Sequence, residues 1–494
     1  MKHVLAIDEG TTGVTCLVMS AEGRIVGRGY REITQHFPEP GWVEHDAAEI
    51  FDRMLIAARE AIAESGVVPA AIGITNQRET VVVWDRTTGE PLARAIVWQD
   101  RRTAERCREL APKAGWITER TGLPLDPYFS ATKLELLLSR PDIAGKVESG
   151  DVLVGTIDTW LIWKLTGGEV HATDPTNASR TLLFDIGTRR WSEDLGALFN
   201  VPASVLAEVR QSSGDFGAAR KQWFGVPIPI LGVAGDQQAA LFGQGCMRAG
   251  EGKNTYGTGA FLLLNTGDQR PVPGAGILAT VACDAAGGYA YALEGSIFIA
   301  GAAIQWLRDG LGIIAAAADS EALAEGLRSN DGVYFVPALT GLGAPHWEPE
   351  ARGTIVGLTR GTSRAHLARA ALEAMAYGTA DVLAAMRQRS GAPFERLRVD
   401  GGASANDWLM QFQADIIGVP VERPEIIETS ALGAAGLAGI AAGVWGDADE
   451  FVSVRKYTRF TPRIDEAERT RLVAGWNRAI GATLAWARNS GEGK

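Results

Sequence analysis

The sequence predicts an α/β protein of two related domains that face each other across a central cleft. Three observations carry this prediction. At 494 residues the chain exceeds what one core can bury, and two or three domains are expected. Short apolar runs with strand character alternate with helix-prone segments through much of its length. A Gly-Thr turn that feeds an apolar strand occurs at Gly10-Thr11-Thr12-Gly13 and again at Gly257-Thr258-Gly259, about 247 residues later, which is half the chain. The expected domains are therefore 1–246 and 247–494, each bringing one hairpin to the cleft between them.

Composition narrows the function. With 46% hydrophobic and 22% charged residues the chain can bury large cores. A formal net charge of −11, with no Lys/Arg-rich run, argues against a nucleic-acid footprint. An anionic substrate must then be met locally, by metal or by backbone N–H groups. Cys16, Cys107, Cys246 and Cys283 lie far apart without a C-x-x-C pair, so they read as small buried hydrophobes. A strand beginning at Val4 leaves no room for a signal peptide. The longest apolar tract, 431–446, is shorter than the roughly 20 residues a membrane span needs and reads as a closely packed buried helix. A cytoplasmic, soluble protein with no membrane insertion is expected.

The elements follow in order. Strands at 4–7, 14–19 and 24–28 flank the turn Asp8-Glu9-Gly10-Thr11-Thr12-Gly13, whose N–H groups and hydroxyls suit phosphate oxygens. The same residues would also satisfy an ordinary hairpin. Residues 72–80 run from strand to loop, 81–84 continue as strand, and 95–100 lead into a charged helix at 101–110. A loop at 126–133 precedes an apolar helix at 134–138. An apolar strand at 226–233 leads through Gly235-Asp236-Gln237 into an alanine-rich helix. Asp236 fits two roles there: an N-cap, favoured by this segment alone, or a carboxylate offered at an exposed strand-to-helix edge. The second hairpin occupies 253–264. Small residues cluster at 295–303, and 397–406 reads as strand, glycine turn and helix start.

Several chemistries are excluded. There is no P-loop, no H-E-x-x-H and no G-x-S-x-G. Gly274-Ala275-Gly276-Ile277-Leu278-Ala279 satisfies G-x-G-x-x-A but follows Pro271-Val272-Pro273 rather than a clean strand. His3, His36, His45 and His346 are scattered and read as surface or packing residues. Any metal is expected to be hard and oxygen-bound, which points to Mg²⁺.

With these segments in hand, the chain resembles the FGGY carbohydrate kinases, most closely their glycerol-phosphorylating members. The resemblance rests on both hairpins, on Gly235-Asp236-Gln237-Gln238-Ala239-Ala240, on Thr75-Asn76-Gln77-Arg78-Glu79-Thr80 and on Asp126-Pro127-Tyr128-Phe129-Ser130-Ala131-Thr132-Lys133. Gly341-Leu342-Gly343-Ala344-Pro345, Gly357-Leu358-Thr359-Arg360-Gly361 and Val399-Asp400-Gly401-Gly402 extend it, colinearly, over essentially the whole chain. It implies two actin-like (ribonuclease H-like) ATPase domains closing on ATP and a polyol. It implies that Arg78 and Glu79 hydrogen-bond adjacent hydroxyls, that Trp98 and Phe261 meet the carbon face, and that Tyr128, Asp236 and Gln237 complete the polar ring. Asp236 becomes the general base. Thr11, Thr12, Gly13 and Thr258 line the phosphates, Gly301, Gln305, Gly402 and Asn406 hold the rest of the nucleotide, and Asp8 lies near Mg²⁺. The partners implied are glycerol or a similar polyol and ATP/ADP. A homodimer or homotetramer is the expected assembly, the residues themselves choosing neither.

The first loop departs from the pattern Asp-Gln-Gly-Thr-Thr-Ser-Ser-Arg usual in such kinases: Glu9 replaces the glutamine and Thr15 the arginine. An added anion and a lost cation predict weaker phosphate binding unless another group compensates. Residues 219–227 lack the Gly-Gly-x-Arg run with which some bacterial members bind fructose 1,6-bisphosphate, so that regulation is not expected. The rival readings are a kinase for another short polyol or sugar, such as erythritol or xylulose, and an actin-like assembly protein. The latter has no need of Arg78, Glu79 and Asp236.

Overall fold

Two twisted sheets of one design carry the two halves in the computed structural model, which describes residues 2–391 and 393–489. The first is ordered Ala218–Ala219, Ile228–Gly235, Ala71–Asn76, His3–Glu9, Gly13–Ser20, Ile25–Glu32. Its last three strands form an antiparallel meander, its central strands are parallel, and the short strand at the other edge is antiparallel. The second is ordered Leu278–Cys283, Tyr289–Ile297, Ala260–Gly267, Glu251–Tyr256, Arg396–Asp400, Val421–Pro424, Tyr457–Phe460. Counted from Ile25–Glu32 in one and Tyr289–Ile297 in the other, the pairings run antiparallel, antiparallel, parallel, parallel, antiparallel in both. Leu278–Cys283 is an addition to the second sheet. The likeness of two short hairpins in the sequence thus extends to whole sheets. Ala71–Asn76 is buried throughout, as expected of a parallel strand covered on both faces.

A smaller five-stranded sheet, ordered Gln35–His36, Glu44–His45, Ala95–Ile96, Val81–Asp85, Val152–Thr156, stands beside the first. The chain passes from Ala71–Asn76 directly into Val81–Asp85, so Arg78 and Glu79 occupy the crossing between two sheets. The crossing is tight: Glu79 has φ 64°, and the Thr80 N–H donates to the Arg78 carbonyl at 2.8 Å. A left-handed residue with a long side chain is costly, and this one is held by buried surroundings on every side.

The helix Thr429–Ala441, late in the sequence, lies on the first sheet rather than the second. Its Leu432, Ala435 and Leu437 join Val4, Ala6, Leu17, Met19 and Ala234 in one core cluster. Glycines let the backbones touch: a Cβ on Gly433 would fall 1.8 Å from the Ala239 carbonyl oxygen, and one on Gly243 would fall 2.0 Å from that of Thr429. The small-residue tract is therefore a helix wedged against the helix Asp236–Gly243. Among the described residues no helix is long and apolar enough to cross a membrane.

Several boundaries differ from expectation. The charged helix is Ala104–Glu109 rather than 101–110, because Asp100 accepts from the Val43 N–H and the Arg102 guanidinium and holds 100–102 in a loop. The helix placed at 134–138 begins earlier, spanning Ala131–Leu138. Lys133 turns inward there, its ammonium donating to the Val97 and Tyr128 carbonyls. The third strand extends to Glu32, and the strand expected at 226–233 is Ile228–Gly235. All four cysteines are buried and free.

Candidate active site

Two arginines and two glutamates form a buried quartet where the halves meet. Arg78 donates from Nη1 to Glu294 Oε2 at 2.7 Å and from Nη2 to Oε1 at 3.0 Å. Arg180 donates from Nε to Glu79 Oε1 at 2.6 Å and from Nη2 to Glu294 Oε1 at 3.2 Å. None of the four side chains is more than 5% exposed. Arg78 and Glu79, expected to act as a side-by-side pair, stand 3.9 Å apart and are each bound more closely to a residue distant in sequence. Burial by itself raises the Glu294 carboxyl, but Arg180 and Arg78 outweigh it and hold the group at about 2. At Glu79 burial prevails over the same two arginines and the shift is upward. Glu294 belongs to the second sheet, so this ion cluster ties the halves together.

Asp236 is the first residue of its helix, with Gly235 as the cap residue, and its side chain caps nothing beyond accepting from the adjacent Gln237 N–H at 2.7 Å. The capping role is not the one adopted. Its carboxylate is 32% exposed and lies 3.1 Å from Arg78 Nε, the guanidinium whose other nitrogens hold Glu294. The strand end beneath it is anchored: the Gly235 N–H donates to Thr176 Oγ1 at 2.8 Å, and that hydroxyl donates to Asp174 Oδ2 at 2.7 Å. Gln237 uses its carbonyl to accept from the buried Lys253 ammonium, and its amide lies 3.4 Å from Asp236 Oδ2. Burial lowers the Lys253 pKa, with Asp400 and Asp236 opposing.

Two of the three expected aromatic residues meet. Trp98 and Tyr128 meet edge to face at 5.4 Å, and Trp98 Nε1 donates to Thr11 Oγ1 at 2.9 Å, linking the first hairpin to this aromatic pair. Burial and the Glu79 charge push the Tyr128 phenol upward, which keeps it a neutral donor. Phe261 is half-buried opposite Thr255 and Ser296, and among the described residues no hydrogen bond or ring contact joins it to the others.

Both hairpins offer unused donors. Among the described residues the Thr11, Thr12 and Thr258 amides make no hydrogen bond, and Thr12 and Thr258 are exposed. The Thr258 carbonyl accepts from Ala300 and Ala302, and the Gly257 carbonyl from Gly301, which ties the second hairpin to the helix Gly301–Gln305. Gln305 is exposed where that helix widens into the π-turn Trp306–Gly310. Gly402 is exposed with nothing within 4 Å of a would-be Cβ, and Gly401, at φ 84°, lets the strand end bend against Tyr256. Asn406 caps the helix Asp407–Ile417 through its carbonyl, leaving its amide N–H groups for another partner.

Asp8, at the end of the first strand, is half-buried, and burial together with Asp236 and Glu428 raises its carboxyl to about 7. No group of three His, Cys, Asp or Glu able to hold a metal ion exists among the described residues. A carboxylate beside the Thr11-Thr12-Gly13 turn still suits Mg²⁺, which keeps waters and phosphate oxygens as its other ligands. Glu9 follows Asp8 on the first strand and turns inward. Its carboxyl is fully buried, accepts from the Gln77 amide at 3.2 Å and 3.3 Å, and is raised well above the usual range by burial. Burial thus works against a charge on Glu9 beside the first hairpin.

Residues 3–243 match the model of the FGGY family of carbohydrate kinases, N-terminal domain, and 252–442 match that of its C-terminal domain. The chain belongs to the FGGY family of carbohydrate kinases. It is 54% identical over 493 residues to the glycerol kinase of Dechloromonas aromatica, with 98% of each chain covered. It is 53% identical to glycerol kinase 2 of Thermotoga maritima, covering 98% of this chain and 99% of that one. The crystal structure of Plasmodium falciparum glycerol kinase with ADP superposes with a TM-score of 0.94 at 38% identity, covering 98% of both chains. Within this FGGY chain, sequence reasoning missed Arg180, Lys253 and Glu294. Glu294 left a signal: it is the only charged residue in the otherwise apolar and small strand Tyr289–Ile297, where a charge must find a buried partner.

Proposed function

We propose that this protein phosphorylates glycerol with ATP, giving sn-glycerol 3-phosphate, and works with Mg²⁺ in the cytoplasm as a homodimer or homotetramer of chains divided near residue 246. The observation that carries the reading is the Asp236 carboxylate, free of any capping duty and 3.1 Å from a guanidinium anchored in both halves. A triol presents little apolar surface, so selectivity has to come from hydrogen bonds, and a site built to bond a hydroxyl rejects an analogue lacking it by roughly 10⁴-fold. Arg78, Glu79 and the Tyr128 phenol supply that frame, with Trp98 and Phe261 against the carbon chain. Asp236 orients the primary hydroxyl and takes its proton as phosphoryl transfer proceeds, a reaction in which positioning and charge neutralisation dominate. Thr11, Thr12, Gly13 and Thr258 receive the phosphates, and Gly301, Gln305, Gly402 and Asn406 the remainder of the nucleotide. Asp8 would hold Mg²⁺, which supplies neutralisation of phosphate charge when bound. Closure of the halves excludes water, the competing acceptor.

The test is a coupled assay of ADP release across C3 to C5 polyols and sugars. The highest kcat/KM is expected with glycerol. Turnover on a C4 or C5 substrate without turnover on glycerol would reject the assignment, and ATP hydrolysis indifferent to every polyol would reject the kinase reading.

A further inference from the structure

Asp8, Thr15 and Tyr30 lie abreast on three neighbouring strands, Asp8 in register with Thr15 and Thr15 with Tyr30, so their side chains share one face of the sheet. Farther along that face Leu17 and Met19 are covered by the helix Thr429–Ala441. At Tyr30 the cover ends, and its side chain is 47% exposed. The ring leans back toward the first hairpin: a Cβ on Gly13 would lie 2.7 Å from the Tyr30 hydroxyl oxygen and 2.8 Å from its ring. The missing side chain at Gly13 therefore gives the phenol its place beside the Thr11-Thr12-Gly13 turn. Among the described residues the Tyr30 hydroxyl makes no hydrogen bond, so its O–H is free to donate. The guanidiniums on the same strand are engaged, Arg28 with Glu428 and Arg31 with Glu60. A polyanion reaching this turn thus meets neutral donors, the two threonine amides and one phenol, beside a strand whose two guanidiniums are already paired.

We propose that the Tyr30 hydroxyl donates a hydrogen bond to a β- or γ-phosphate oxygen of the bound nucleotide, serving as the neutral counterpart of the cation that Thr15 does not supply. This rests on the kinase reading above. Loss of one such bond corresponds to about a three- to tenfold weaker affinity.

Calorimetric titration of the full chain with Mg²⁺ and a non-hydrolysable ATP analogue, comparing wild type with Tyr30→Phe, tests it. Phenylalanine keeps the ring beside Gly13 and removes only the donor. Expected are affinity for the analogue reduced about three- to tenfold, a KM for ATP raised in proportion, and unchanged AMP affinity, KM for glycerol and Tm. Equal binding of the analogue by both proteins overturns the proposal. So does a loss shared by AMP or accompanied by a lowered Tm, which would make the residue merely structural. A wild-type chain that binds no nucleotide at all overturns instead the kinase reading beneath it.

Discussion

Asp236 and Glu294 divide the work of the site between a partly exposed carboxylate and a fully paired one. Asp236→Asn keeps an acceptor beside Arg78 while removing the base, so kcat should fall by about 10²- to 10⁴-fold with glycerol binding retained. Parallel steady-state kinetics and glycerol titration check this, and a variant with wild-type kcat would refute the base role. Glu294→Gln removes the one carboxylate that binds both arginines, leaving Arg180 on Glu79 and Arg78 on the partly exposed Asp236. Breaking a buried pair in this way costs about 3 kcal/mol. The urea midpoint should drop accordingly, and the KM for glycerol should rise more than that for ATP. Arg78, Glu79 and Asp236 were legible through the family resemblance, because each lies in a short motif of contiguous residues. Arg180 and Glu294 were not, because their meaning lies in partners about a hundred and two hundred residues away.

Helix against helix, the decisive contact is between Asp236–Gly243 and Thr429–Ala441. The first carries the carboxylate, and the second presses backbone on backbone through Gly433 and Gly243. Gly433→Ala must push Ala239 away, and overpacking of this kind costs about 1–3 kcal/mol. A lowered Tm and a reduced kcat are expected together, since displacement of Ala239 moves Asp236. Gly115→Ala, in the helix Ala114–Thr121 with nothing within 4 Å of the new methyl, should instead stabilise by about 0.4–1 kcal/mol. Equal Tm values for the two variants would contradict the account. The apolar, small-residue composition of 431–446 announced a closely packed helix; the sheet it packs on was not written there, because small residues permit contact without choosing the neighbour.

Across the molecule, buried acids couple stability to pH. Asp158 is fully buried, accepts from the Thr156 and Thr173 hydroxyls, and is raised from 3.8 to about 7 by burial and by Asp174. The folded protein therefore holds a proton there that the unfolded chain has released. The stabilisation is complete below pH 3.8 and is lost as pH rises through about 7. The corresponding slope is at most about 1.4 kcal/mol per pH unit. Asp158→Asn should flatten the fall in stability between pH 4 and 7 measured by urea denaturation, and an unchanged slope would show that Asp158 does not carry it.

By itself the sequence determined the α/β class, the doubling of the chain and the two Gly-Thr turns, because glycine, threonine and strand periodicity act locally. Its resemblance to a kinase family also singled out Arg78, Glu79 and Asp236, which the structure brings together. Only the tertiary structure decided that Asp236 caps nothing, that Glu9 is buried against Gln77, and that a helix from the second half seals the first sheet. Each of these depends on what burial and distant charges do to a side chain, and neither burial nor distance in space is a property of neighbours in sequence.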